Sequence, residues 1–209
     1  MKKISLACLS MLIFCSVGKT QVTNTAAAEP KTNFEVTING KKYQLAENEE
    51  LKLENTLTKP TISIKLSDYK KFDAGSITFD YPRHLSYEFA QDTGYKNWTL
   101  NGNSFIVMVF ELDGTASLDD ITSAVVEKFG KEHCVVEDSK EELGHKMCNT
   151  KKMKVSLIGQ SLTLEYFEIK LNDSKSRFIC FQDSMDDNGL NSKEYLEGFK
   201  LINSTITFK

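Results

Sequence analysis

The chain has 209 residues, 40% of them apolar and 26% charged, and its 26 Lys+Arg against 29 Asp+Glu leave a formal net charge of −3. That is an ordinary globular balance, and its mild acidity gives no electrostatic footprint for nucleic acid or an anionic lipid surface. Arg83 and Arg177 are the only arginines, so most cationic groups are lysine point charges and not the guanidinium forks that bidentate recognition of phosphate needs.

The first eighteen residues, Met1 to Gly18, set the compartment. Lys2 and Lys3 precede an apolar run from Ile4 to Val17 that is broken only by small or weakly polar residues. This is the pattern of a secretory signal. The run is shorter than the roughly 20 residues that a bilayer span requires. Cleavage near Gly18 to Gln21 is expected to leave a periplasmic or secreted protein with no integral membrane segment. Cys15 is the residue a lipoprotein would acylate, but the bulky Phe14 stands where a small residue is needed, so lipid attachment is the lesser expectation. Cys8 and Cys15 leave with the signal. Cys134, Cys148 and Cys180 remain, in a compartment that permits disulfides.

Residues 19–32 are small, polar and aperiodic, and read as a disordered lead-in. Residues 33–75 read as an extension of short antiparallel strands. Phe34, Val36 and Ile38 alternate with polar residues, and Asn39-Gly40 is a tight-hairpin signal leading to a return strand, Lys41 to Leu45. The two-residue alternation recurs at Leu51-Leu53 and at Ile62-Ile64-Leu66. Ser76 to Tyr81 is the next predicted strand, ended by Pro82. Leu85 to Phe89 and Lys96 to Leu100 follow, with Asn101-Gly102 as a second turn signal. The nearly continuous apolar run Phe105 to Leu112 predicts a central strand covered on both faces. Ser117 is placed to cap a helix whose apolar face is Leu118, Ile121, Val125 and Phe129 and which Gly130 closes.

Beyond that helix, His133 to Glu137 and His145 to Thr150 are predicted strands around a charged turn at Ser139–Glu142. Met153 to Ile158, Ser161 to Leu171 and Lys175 to Gln182 are three further strands. Asn191 is expected to start a second helix, with Glu194 completing a capping box. Tyr195, Leu196, Phe199 and Ile202 form its predicted buried face. Ser204 to Phe208 is the closing strand.

From Ser76 to Lys209 this order resembles the PsbP-like fold family. The residues that carry the resemblance are Phe79-Asp80-Tyr81-Pro82, the strand Phe105–Leu112 and the Ser117-capped helix. Gly159, Tyr166-Phe167 and Cys180-Phe181 continue it in the meander, and Tyr195, Phe199, Ile202, Ile206 and Phe208 complete it. The resemblance implies an α+β fold, an antiparallel sheet flanked by helices in an α/β/α sandwich, with the N-terminal strands added to it. It also implies a binding or assembly role, which fold analogy supports only weakly.

Three constellations bear on chemistry. His133, Cys134, His145 and Cys148 supply zinc-type ligands, but strand alternation splits them between two sheet faces. A Cys134–Cys148 disulfide across the hairpin is the expected alternative, with Cys180 a buried apolar thiol. Asp183 to Glu194 invites a calcium reading; aligned on Gly189, an EF-hand has Ser184 first and Tyr195 last, neither of them the required ligand, so a solvated acidic turn is expected. Tyr95 and Trp98, with Arg83 nearby, are candidate partner-binding residues if their hairpin is exposed, and core residues otherwise. Phosphate-binding glycine loops, the G-x-S-x-G elbow and H-E-x-x-H are absent from the sequence. No cofactor or metal is therefore expected. The function expected is that of an exported, non-catalytic envelope protein that binds a protein partner. A small-ligand or lipid carrier is the alternative, and a hydrolase using a His84–carboxylate pair ranks last.

Overall fold

The computed structural model describes residues 29–54, 56–157, 160–171, 173–185 and 188–209. The signal segment, including Cys8 and Cys15, lies outside them, as do residues 19–28 of the expected lead-in. In chain order the strands are β1 (Asn33–Ile38), β2 (Lys41–Ala46), β3 (Ile62–Leu66), β4 (Tyr69–Asp73), β5 (Ile77–Pro82), β6 (Ser86–Asp92), β7 (Tyr95–Asn101) and β8 (Phe105–Asp113). Helix α1 (Leu118–Phe129) and a short 3-10 turn lead to β9 (Cys134–Leu143), β10 (Lys146–Leu157), β11 (Gln160–Ile169) and β12 (Lys175–Ser184). Helix α2 (Lys193–Thr205) and β13 (Thr207–Phe208) end the chain. Leu51-Leu53, expected as a strand, is irregular.

The strands form three antiparallel sheets: β2-β1-β3, β13-β5-β4 and the seven-stranded β6-β7-β8-β12-β11-β10-β9. Strand alternation divides β8 and β12 between two cores. Phe105, Val107 and Val109 with Ile179 and Phe181 face Phe72, Phe79 and Tyr81 of the β4–β5 sheet and Ile202 of α2. Met108, Phe110 and Leu112 with Phe178 and Cys180 face Leu118, Ile121 and Val125 of α1. The double-sided burial expected of Phe105–Leu112 is present. So is the Ser117 cap, whose side chain accepts from the Asp120 backbone N–H while the Asp120 carboxylate accepts from that of Ser117.

The expected α/β/α sandwich is overturned. The chain is mostly strand, with two α-helices among the described residues, and one face of the large sheet is covered by a second sheet as well as by α2. The cause lies in β4. Lys70 and Lys71 interrupt its apolar pattern, yet it pairs with β5 and stacks Phe72 on Phe79 with ring centroids 4.6 Å apart. That pairing, with β13 on its other side, takes β5 out of the large sheet.

A second difference is the hairpin after α1. Ser139–Glu142, expected as a turn, is the end of a long edge strand. Glu137, Asp138, Lys140 and Glu142 are exposed, so β9 has no apolar alternation to read. The chain reverses at Gly144-His145, where φ is +58° and +63°. Both central residues thus take the left-handed conformation of a type I′ turn, which fits the twist of the flanking strands.

Helix α2 starts one residue later than expected. Its N-cap is Ser192, whose side chain accepts from the Tyr195 N–H at 3.1 Å. Tyr195 and Phe199 pack inward beside the fully buried Ile202, whereas Leu196 points outward. The helix runs on to Thr205, which leaves only Thr207–Phe208 of the closing strand. Gly198 lets the helix approach β8, because a Cβ there would lie 2.4 Å from the Phe105 ring. Gly198→Ala is expected to lose about 1–2 kcal/mol net in chemical denaturation, the overpacking exceeding the gain of roughly 1 kcal/mol in helix propensity.

Candidate interaction site

The predicted site residues are dispersed. Cys134 pairs in register with Val155, and Cys148 with Glu141. The two cysteines are therefore separated by seven positions of the ladder, roughly 23 Å at about 3.3 Å per residue. They also face different cores, Cys148 the α2 side and Cys134 the α1 side. The expected Cys134–Cys148 disulfide is thus corrected: the turn lies at Gly144-His145 instead of near Lys140-Glu141, and Cys134, Cys148 and Cys180 are all free thiols. The same separation dismantles the zinc constellation, with His133 at one end of the hairpin and His145 at the other. No metal-ligating group of three or more is found among the described residues. Burial raises the thiol pKa of all three cysteines, most of all at Cys180.

Tyr95 and Trp98 do not form a common patch. Being three apart on β7, they face opposite sides of the sheet. Trp98 is 6% exposed and lies against Phe72 and Phe89, with ring centroids 6.0 and 5.3 Å away. Tyr95 packs at the margin of the α1-side core. Arg83 is exposed in the β5–β6 turn. Of the candidate trio, Trp98 is core, and the three share no surface.

His84 does meet a carboxylate, that of Glu194, with Nε2 2.7 Å from Oε1. The carboxylate also accepts backbone N–H groups of Asn103, Ser104 and Phe105 from the β7–β8 turn. Burial pushes the Glu194 carboxyl up, but these N–H donors and His84 outweigh it and hold the pKa below the usual value. Glu194 is therefore a brace between α2 and β8, not the reciprocal partner of its own helix cap. Gly102 makes room for it, since a Cβ there would sit 2.6 Å from Glu194 Oε1. Asp183, the first residue of the rejected calcium segment, is fully buried and accepts from the Ser192 N–H at 3.0 Å. Arg177 is likewise turned inward. It makes a bidentate pair with Asp173 at 2.8 and 2.7 Å and reaches Glu111 at 3.0 Å. The guanidinium beside it pulls the Asp173 carboxyl down to about 2. Between α2 and the sheet, where the alternative carrier reading would place a ligand, Phe105, Phe167, Phe181, Tyr195 and Phe199 lie in mutual ring contact at 5.0 to 6.4 Å.

What distinguishes the surface is a sheet edge. Edge strands present unpaired backbone groups, and proteins blunt them with charge. β9 carries Glu137, Asp138, Lys140 and Glu142; β6 carries Glu88 and Asp92; β2 carries Lys41 and Lys42; β4 carries Lys71 and Asp73. β3 differs. Its Ile62, Ile64 and Leu66 are 55%, 67% and 37% exposed, and they continue the face of their partners Ile38, Val36 and Phe34 on β1. Its one charge, Lys65, lies on the other face and is tied to Asp68 at 2.7 Å.

The hydrogen bonds from Asn39 N–H to the Thr61 carbonyl and from Ser67 N–H to the Asn33 carbonyl fix the ladder's phase. Ser63 and Lys65 therefore bond to β1, and the N–H and C=O groups of Ile62, Ile64 and Leu66 point outward. Among the described residues, no strand lies beyond β3 in this sheet. The alternation of Ile62, Ile64 and Leu66 is visible in the sequence. That it stands at an edge follows only from the pairing.

No family model matches the chain, and no curated protein matches it by sequence; the PsbP-like resemblance thus has no family match. Among solved structures the chain is similar to a protein of Bacteroides thetaiotaomicron VPI-5482, with TM-score 0.43 and 15% identity over 68% of this chain and 49% of that one. It spans about half the length of that protein. It is also similar to LpqN of Mycobacterium tuberculosis, described as involved in cell envelope biogenesis, with TM-score 0.39 and 14% identity over 66% of this chain and 86% of that one. No helix among the described residues is long and apolar enough to cross a membrane.

Alkylation followed by peptide mass analysis is expected to find Cys134, Cys148 and Cys180 all modified in denaturant without reductant. Recovery of a Cys134–Cys148 linked peptide would contradict the register. A carboxylate with a depressed folded pKa contributes in full above its ordinary pKa, and the contribution fades as pH falls through the folded value. Glu194→Gln is accordingly expected to cost about 1–3 kcal/mol at pH 7, with the gap from wild type closing below roughly pH 4. Unfolding curves across that range measure it, and a gap independent of pH would contradict the brace.

Proposed function

We propose that this chain is an exported, non-catalytic interaction protein of the bacterial envelope, which engages a protein partner by strand addition at the open edge of β3. The observation that carries the proposal is the coincidence, on one strand, of outward backbone groups and the exposed stripe Ile62, Ile64 and Leu66. Strand addition uses main-chain hydrogen bonds for affinity and alternate side chains for selectivity, and β3 supplies both. The basic start and apolar run of Met1–Gly18 support export. The engagement of Glu194 by three backbone N–H groups supports a structural role for the His84 pair over a hydrolytic one. The aromatic filling under α2 favours binding at the edge over carriage of a small ligand.

A photo-crosslinking residue at position 64 is expected to yield a protein adduct in intact cells, and the same residue at position 137 on the charged edge β9 is expected to yield none. Equal yields at both positions, or none at either, would overturn the proposal. Proline substitution tests the edge itself. Ile62→Pro, with the crosslinker kept at position 64, removes an outward N–H and is expected to keep amide protection in β1–β3 while losing the adduct. Lys65→Pro removes a ladder bond and is expected to destabilise the sheet by about 1–3 kcal/mol.

A further inference from the structure

We infer that the strand added to β3 is β3 of a second copy of this chain, paired antiparallel about a two-fold axis at Ile64. The inference rests on the strand-addition reading above and names its partner.

Three features of the strand carry it. The first is phase. An antiparallel two-fold axis that passes through a hydrogen-bonded pair requires its central residue to point N–H and C=O outward, and Ile64 does. The pairing then sets Ile64 against Ile64 of the second copy and Ile62 against Leu66, so every outward backbone group of the three residues is satisfied on both chains. The second is side-chain chemistry. On the apolar face the cross-strand neighbours are branched aliphatic residues throughout, the kind of pair that stabilises an antiparallel ladder. The third is charge. On the opposite face Lys65 stands against Ser63, so the axis brings no like charges into register, and Asp68 holds each Lys65 at 2.7 Å within its own chain.

The edges β9 and β2 do not meet these conditions. A pairing of β9 with itself would crowd Glu137, Asp138, Glu141 and Glu142 with their copies, and β2 would bring Lys41 and Lys42 close to theirs. The contact is isologous, so it closes as a dimer and does not propagate into a fibre. Two five-residue strands bury less than the roughly 1,200 Å² of a standard stable interface, so the dimer forms and dissociates with concentration.

The test is register-specific disulfide trapping of the full chain carrying Cys134→Ser. In a hydrogen-bonded antiparallel pair the Cα atoms lie about 5.5 Å apart, within disulfide reach. Ile64→Cys is therefore expected to convert to a covalent dimer under mild oxidation. Ile62→Cys, of similar exposure but about 13 Å from its symmetry mate, is expected to remain mostly monomeric, at least tenfold behind. Sedimentation equilibrium of the otherwise unmodified chain is expected to show a concentration-dependent dimer that Ile64→Lys abolishes. Equal trapping at both positions, or a monomer at all concentrations, overturns the two-fold pairing. If the position-64 crosslinker still captures a different protein in cells while self-trapping fails, the second copy is overturned and strand addition stands. If both fail, the edge is not a docking site.

Discussion

Burial of β8 and β12 on both faces is the constraint from which the rest of the fold follows. Each strand alternates between two apolar sets, so the seven-stranded sheet needs a cover on each side. The α1 side is closed by a short helix whose capping box and apolar face are both local in sequence. The other side needs more area, and the chain supplies it from both ends of the domain: β4 and β5 come before the large sheet in sequence, α2 and β13 after it. Phe72 stacked on Phe79, and the ring cluster around Phe181, are where these distant segments meet. Glu194 adds a polar fastening to the same junction, holding the start of α2 against the turn that opens β8.

Seen from that core, the edges show how the chain manages unpaired backbone. The long β9 strand carries four acids and Lys140 beyond Val135 and Val136, and its neighbour β10 contributes Lys151 and Lys152 to ion pairs with Asp119, Asp138, Glu141 and Glu165. Such half-exposed pairs add little stability. Their use here is to keep water and charge along an edge that would otherwise template another strand. The N-terminal sheet is treated differently. It contributes no residue to either large core, and on β3 it leaves branched aliphatic side chains beside open backbone. β3 is thus neither needed to close the core nor defended by charge along its apolar face.

Much of this was legible from residue patterns where local rules coincide with tertiary ones. The apolar run Phe105–Leu112 reads as doubly buried because no polar residue interrupts it before Glu111. The helix after Ser117 reads correctly because cap, dipole and apolar face agree. Legibility failed where charge masks a strand. Lys70 and Lys71 hide β4, and without β4 the second sheet, and hence the true layering, cannot be inferred. The acids of β9 imitate a turn, and that single misplacement moved the hairpin reversal and generated the Cys134–Cys148 pairing. Glu194 satisfies the capping-box spacing yet is drawn to a turn ninety residues away in sequence, which no local rule anticipates. The open edge of β3 was half legible: its apolar alternation is plain, but which strand stands last in a sheet is a property of pairing alone.

The central claim is that β3 offers an open edge with a defined phase. Residue-resolved hydrogen exchange on dilute protein tests it most directly. The account predicts alternation along the strand, with the amides of Ile62, Ile64 and Leu66 exchanging at close to unprotected rates and those of Ser63, Lys65 and Ser67 slowed by their bonds to β1. Uniform protection across the strand, or the opposite alternation, would contradict it.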